Sequence, residues 1–330
     1  MRIAGNLIKP WSQLTGIAGL LLGSVALSLG SARERPAAGT GRQLALTAFV
    51  SILPQAYVVE RIGGNRVAVK VLLPPGQRPE TYAPTAKRMA ELARTDVYLR
   101  IGVPFENVLL PKIANTMKNL RVVDTRRGIQ LRRMEETGGH APCDGHHDDD
   151  DQNGHTIADA DHHHHHHADG DDPHVWLDPA LVIRQAQTVH DVLAQLDPAG
   201  AAAYAVNFRA LKTDLEAVYS RLKAALSPLR GREIFVYHPA YGYFADAFGL
   251  RQIAVETGGK KPSARQIARL IRMARDRNVR VIFVQPQFSH KSAEVIAKSI
   301  GGAVIALDPL APDYIRNLEH MAEQINQALR

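Results

Sequence analysis

The chain has 330 residues, 45% hydrophobic and 22% charged, which excludes collagen, coiled-coil and wholly disordered classes. A single cysteine, Cys143, excludes an intrachain disulfide and a four-cysteine zinc site. The net charge of +7 hides a split, because residues 140–172 hold ten Asp and neither Lys nor Arg. The basic residues elsewhere are scattered rather than blocked, which is weak ground for nucleic-acid binding.

Residues 1–32 read as a secretory signal peptide. Arg2 and Lys9 give a positive start, Leu14 to Leu29 is an uncharged apolar run, and Gly30, Ser31 and Ala32 offer the small side chains of a cleavage site. The run is about 16 residues, short of the roughly 20 that span a bilayer. Cleavage near Ala32 and export are expected, with residues 33–42 as a flexible lead-in rich in Gly, Ala and Pro.

Apolar runs of strand character follow at 44–50, 67–73, 97–101, 120–123, 233–237, 279–284 and 303–307. Helical periodicity separates them, for example over 55–62, 84–93, 263–277, 292–300 and 314–329. Alternation of strand and helix in both halves predicts an α/β fold with parallel sheets covered by helices. Residues 179–226 differ, with a helical pattern interrupted at Pro198 and no strand. Over 201–226, Tyr204, Phe208, Leu211, Leu215, Val218 and Leu222 recur at spacings of three and four, which predicts one long packed helix between two α/β halves. The expected organisation is an N-terminal lobe over 43–200, a linker helix over 201–228 and a C-terminal lobe over 229–330.

Residues 138–172 are of low complexity and are expected to form a disordered loop. Ten of the fifteen histidines lie there: His140, His146, His147, His155, His162, His163, His164, His165, His166 and His167. Neutral imidazoles interleaved with carboxylates make a multidentate surface for zinc, copper or nickel. It should bind several ions weakly, because each ion must order the chain it binds.

Four short passages carry the remaining chemistry. PPGQRPETY (74–82) holds Glu80, DPHVWLDP (172–179) holds His174, VYHPAYGYF (236–244) holds His238 and ALDPL (306–310) holds Asp308. Ligand sites of open α/β sheets lie beyond the carboxyl ends of the strands, where Glu80, His238 and Asp308 fall. His174 sits between the acidic segment and a helix. Two imidazoles and two carboxylates are thereby candidates to converge in one cleft. Each also has a plain structural reading: a turn residue for His174 and Asp308, a buried hydrogen-bonded histidine for His238, a solvated loop acid for Glu80.

Taken in order, DPHVWLDP, YAVNFRAL, HPAYGYFADAFGL and LDPL resemble the receptors of zinc and manganese ABC importers, the helical-backbone class of solute-binding proteins. The resemblance covers nearly all of residues 43–330. It implies two Rossmann-like lobes joined by one long rigid helix, with a single divalent ion held between them. Carried over, His174 and His238 match the second and third metal ligands and Asp308 the C-terminal carboxylate. Glu80 stands where the family usually has histidine, and Lys260 and Lys261 stand where an acid commonly precedes the proline. The histidine-rich segment and His238 favour the zinc branch, with manganese or iron as the alternative cargo. The resemblance further implies a monomer in the periplasm that serves a membrane permease, with neither enzymatic activity nor a nucleic-acid partner.

Two rivals come from other classes. An exported metal-dependent hydrolase would use Glu80 as general base and would need an open coordination position. A nucleic-acid binder would use Lys261, Arg265, Arg269, Arg272 and Arg275, which at helical spacing read better as a solvated or docking face.

Overall fold

Four- and five-residue runs too short for helices pack here as parallel strands, the central ones, at 46–50, 97–100, 233–236 and 281–284, largely buried and the edge ones partly exposed. The computed structural model describes residues 45–134, 170–256, 263–289 and 291–330. The expected signal peptide and lead-in, the ten clustered histidines, Cys143 and the Lys260–Lys261 pair lie outside the described residues.

The first half runs β1 (Leu46–Val50), α1 (Leu53–Gly63), β2 (Val67–Val71), α2 (Ala86–Leu92), β3 (Val97–Arg100), α3 (Pro104–Thr116) and β4 (Arg121–Asp124). Next come α4 (Pro179–Leu196) and α5 (Ala201–Leu226). The second half runs β5 (Glu233–Val236), α6 (Gly242–Phe248), β6 (Arg251–Ala254), α7 (Ala264–Asp276), β7 (Val281–Val284), α8 (Lys291–Ser299), β8 (Ala303–Ala306) and α9 (Tyr314–Leu329). The strands form two four-stranded sheets, ordered β2-β1-β3-β4 and β6-β5-β7-β8, and every pairing is parallel. The second sheet repeats the order of the first. In each, the connections leave in opposite directions from the first and third strands of the set, which opens a crevice at their carboxyl ends.

Helix α5 joins the halves. Its 26 residues rise about 39 Å, and Tyr204, Leu211, Leu215, Val218, Leu222 and Leu226 form one buried stripe along it. Phe208, expected on that stripe, is half-buried at its margin beside His190. The stripe packs against α1 and α4 at one end and α6 and α9 at the other. A helix held by side-chain packing at both ends acts as a strut rather than a linker.

Its start is fixed by a polar knot. Arg66 donates through Nε and Nη2 to both oxygens of Asp197, at 2.7 and 2.9 Å, and the Tyr204 hydroxyl donates to Asp197 Oδ2 at 2.6 Å. Gly200 passes so close that a Cβ there would collide with Asp197, Arg66 and the Tyr204 ring. The guanidinium and phenol hydrogen bonds lower the Asp197 carboxyl to about 2. Burial, reinforced by Asp197, pushes the Tyr204 phenol up to about 12.

One expectation changes. Residues 170–172, assigned to the disordered acidic loop, are structured. Met134 N–H donates to Gly170 O and Asp172 N–H to Arg132 O, with Arg133 and Asp171 bridged antiparallel. The backbone pairing ties 132–134 to 170–172 and draws Asp172 into the interior, where it is 1% exposed. Arg265, Arg269, Arg272 and Arg275 line an exposed face of α7, and Arg275 donates to Ser299 O. Among the described residues no helix is long and apolar enough to cross a membrane.

The knot predicts a pH dependence. A carboxyl whose folded pKa lies below its unfolded value near about 3.9 stabilises the fold above that pH and loses its contribution as pH falls toward about 2. Asp197→Asn is therefore expected to lower the urea midpoint at pH 7, and the gap from wild type should close between about pH 4 and pH 2. A gap that stays constant down to pH 3 would remove the ion pair from the account.

Candidate metal centre

Glu80 reaches the cleft on a turn that its own sequence shapes. Pro75 and Gly76 take the two central positions of a tight turn closed by Gln77 N–H to Pro74 O at 3.2 Å, and Gly76 has φ of 76°, a conformation open chiefly to glycine. The Tyr82 hydroxyl then donates to Leu72 O at 2.6 Å, folding the segment back over the end of the first sheet. His238 lies just past β5, and Tyr237 N–H extends the ladder to Phe283 O before the chain turns at Ala240. His174 stands at the start of a single 3-10 turn, Val175–Leu177, that leads into α4.

The three side chains meet. Glu80, His174 and His238 each offer one ligand atom, and these atoms all lie within 4.8 Å of one another. It is the one group of three or more such residues among the described residues. Both histidines are 5% exposed, and their rings sit edge to face at 5.4 Å. Glu80 Oε1 lies 3.4 Å from His238 Nε2.

Each imidazole is aimed by a buried carboxylate. His174 Nδ1 donates to Asp172 Oδ1 at 2.7 Å, and the same oxygen accepts the His174 backbone N–H at 3.0 Å. His238 Nδ1 donates to Glu256 Oε1 at 2.9 Å. With Nδ1 committed as donor, each Nε2 keeps its lone pair, the arrangement that second partners impose on metal-binding histidines. His238 Nε2 and Glu80 Oε2 are buried and, among the described residues, meet no hydrogen-bond partner. A lone pair buried without a donor is costly, and a cation at the meeting point of the three groups would satisfy it. Two neutral imidazoles and one carboxylate fit a borderline divalent ion such as zinc.

Asp308 stands apart from this group. Its Oδ1 accepts from Gln287 Nε2 at 2.8 Å and from Leu310 N–H at 2.9 Å, so the carboxylate is held between its own turn after β8 and the loop after β7. The neighbouring Pro309 and Leu310 line the pocket that Glu80, His174 and His238 share. The expected four-ligand set is thus brought together as three, with the fourth one residue removed from the pocket wall.

Four residues of the site had no place in the sequence reading. Asp172 and Glu256 orient the histidines. Gln285, 2% exposed beyond β7, lines the pocket, and the Arg78 guanidinium lies 4.0 Å over the Phe288 ring. Glu256 follows β6 by two residues, but Arg251–Ala254 is no apolar run, so the strand-end rule that found His238 had no strand to start from. Asp172 lay two residues before a candidate ligand but was submerged in an acidic run.

The wall of the site is shared between the halves. Trp176 Nε1 donates to Pro309 O at 2.8 Å, the Tyr314 hydroxyl to Trp176 O at 2.7 Å and the Tyr243 hydroxyl to Asp172 O at 3.0 Å. These bonds lock the His174 segment to loops and helices of the second half.

Comparison with known proteins agrees with this architecture. The chain is 25% identical over 283 residues to the high-affinity zinc uptake system protein ZnuA of Yersinia pestis, covering 84% of this chain and 87% of that protein. A crystal structure of ZnuA superposes with a TM-score of 0.74 at 36% identity, covering 86% of this chain and 99% of that one. A zinc-bound ZnuA deletion mutant gives 0.72 at 36% identity, with coverage of 86% and 97%. Residues 49–328 match the family profile described as ZnuA, zinc-uptake complex component A, periplasmic, and the chain belongs to that family.

Proposed function

We propose that this protein is an exported zinc receptor that captures one Zn2+ between its two lobes and delivers it to the membrane permease of an ABC importer. The observation that carries this reading is the convergence of Glu80, His174 and His238, with both Nδ1 atoms held by buried carboxylates. Such a site is built to hold an ion. Histidines 5% exposed leave little open face for a substrate, which counts against the hydrolase reading. Family membership points to a transport receptor rather than an enzyme.

Glu80, His174 and His238 supply three donors. Asp308 is the carboxylate placed to complete four, by exchanging its Gln287 hydrogen bond for the ion. Zinc accepts a mixed set of imidazole nitrogen and carboxylate oxygen in tetrahedral array. Manganese is the alternative cargo, favoured by the oxygen ligand that Glu80 contributes in place of the usual imidazole. The intrinsic affinity order still ranks zinc above manganese in such a site. The reading includes cleavage of residues 1–32, a monomeric receptor without a nucleic-acid partner, and weak secondary ion binding by the clustered histidines 140–167.

Three outcomes are expected. Zinc titrated by calorimetry into mature protein, purified without tag or chelator, should give one tight site plus weaker ones. Deleting residues 140–168 should abolish only the weaker sites, and loss of the tight site with that deletion would overturn the assignment. His238→Ala should weaken tight zinc binding by more than the about 10–100-fold typical of an outer hydrogen-bond partner. Its far-ultraviolet circular dichroism should be unchanged, because little apolar area is lost; unaltered affinity would return His238 to a packing role. Glu256→Gln should weaken zinc by about tenfold, since the amide still accepts from Nδ1 but no longer raises the basicity of the ring. Chelator competition reads this, and equal affinity would separate Glu256 from the site.

A further inference from the structure

Glu80 does not present its carboxylate symmetrically. Oε1 faces the histidines, 3.4 Å from His238 Nε2, while Oε2 faces Arg78, 3.7 Å from Nε. Arg78 is two residues earlier on the same turn. Its guanidinium lies over Phe288 at 4.0 Å, and the Phe288 ring stacks on His238 at 4.9 Å and 25°. Arg78 Nε and Nη2 are buried and, like Glu80 Oε2, meet no hydrogen-bond partner among the described residues. A cation set against a cation site costs affinity for any divalent ion, so its place there calls for an account. A planar guanidinium stacked on an aromatic ring is also a rigid object, unlike a lysine ammonium.

We propose that Arg78 is a positioning residue for cargo selection: its ion pair with the second oxygen of Glu80, 3.7 Å from Nε, draws that oxygen away from the ion, so that the carboxylate binds through one oxygen only. The inference rests on the reading of Glu80, His174 and His238 as ligands of the cargo ion. A histidine in place of Glu80 would offer a single donor by its nature. A carboxylate can offer two, and with two oxygens bound the donor number rises. Zinc is at home with four donors, whereas manganese favours oxygen-rich, six-coordinate sets. By engaging Oε2, Arg78 returns the carboxylate to the one-donor role of an imidazole and keeps the site suited to zinc. The repulsion between Arg78 and the ion acts alike on Zn2+ and Mn2+, which carry the same charge, and cancels in the ratio of their affinities. The donor number does not cancel.

The test is a zinc–manganese competition titration on the mature chain, with Arg78→Gln and Arg78→Ala each made in the wild-type and Glu80→His backgrounds. Gln retains part of the Arg78 side chain and a planar polar end, so a folding defect confined to the Ala variant does not spoil the comparison. In the wild-type background, Arg78→Gln should lower the zinc-to-manganese affinity ratio by about tenfold, the usual scale for an outer partner of a metal ligand. The visible absorption of the Co2+-loaded protein should weaken at the same time, as a four-coordinate ion gains a donor. In the Glu80→His background the same substitution should leave ratio and spectrum within about twofold, because no second oxygen remains to be released. An unchanged ratio in the wild-type background, or an equal change in both, overturns the proposal and leaves Arg78 a packing residue. Glu80→Ala separates the two levels. If it weakens zinc while Arg78→Gln leaves the ratio unchanged, only this inference falls. If it leaves zinc affinity unaltered, the ligand reading of Glu80 falls with it.

Discussion

Two hydrogen bonds from ring nitrogen to buried carboxylate, His174 to Asp172 and His238 to Glu256, set the terms for the rest of the molecule. An imidazole has two equivalent ways to carry its proton and many ways to turn. Fixing Nδ1 removes both freedoms and leaves one lone pair pointing at a shared place. Both carboxylates are about 98% buried or more, so each requires partners at all times, and the ring is one of them. The surrounding architecture serves this demand. Asp172 is brought in by the backbone pairing at 132–134 and 170–172, and Glu256 by the exit of β6.

The strut α5 explains why these groups can be so exacting. A centre assembled from the turn after β2, the start of α4 and the loop after β5 draws on three places far apart in sequence. Small errors in the placement of either sheet would spread the donors beyond reach. A helix of 26 residues packed at both ends, with its first turn pinned by Arg66, Asp197 and Tyr204, holds the separation of the sheets. On the proposed reading, ion capture and ion release would fall to the turns at the carboxyl ends of the strands.

Much of this was legible from periodicity. Seven of the eight strands and the long helix follow from apolar spacing, because strands of a parallel sheet covered by helices read as near-continuous hydrophobic runs. Strand β6 carries no such signal: its residues are Arg251, Gln252, Ile253 and Ala254, and its place at the sheet edge comes from pairing with β5. Losing β6 also hid Glu256. Of the four expected ligands, Glu80, His174 and His238 stand together, each announced by a strand end or by the turn before a helix. The direction of Asp308 was not readable, since it depends on Gln287, a neighbour in space from another loop. Asp172 and Arg78 escaped for a related reason. Their roles are defined by what they touch, and composition placed one in an acidic tract and the other among scattered basic residues.

The short ladder that joins Arg132–Met134 to Gly170–Asp172 fastens both ends of the intervening stretch at one spot on the surface. The entropy of closing a loop grows only with the logarithm of its length, each doubling costing about 0.6 kcal/mol. Once the ends are tied, residues can be added, removed or exchanged between them with almost no thermodynamic echo in the sheets. The position of Asp172, and through it the aim of His174, is thereby set by the pairing at 132–134 and 170–172 rather than by the length of chain between. A histidine tract of another length is expected to leave the geometry of the centre in place.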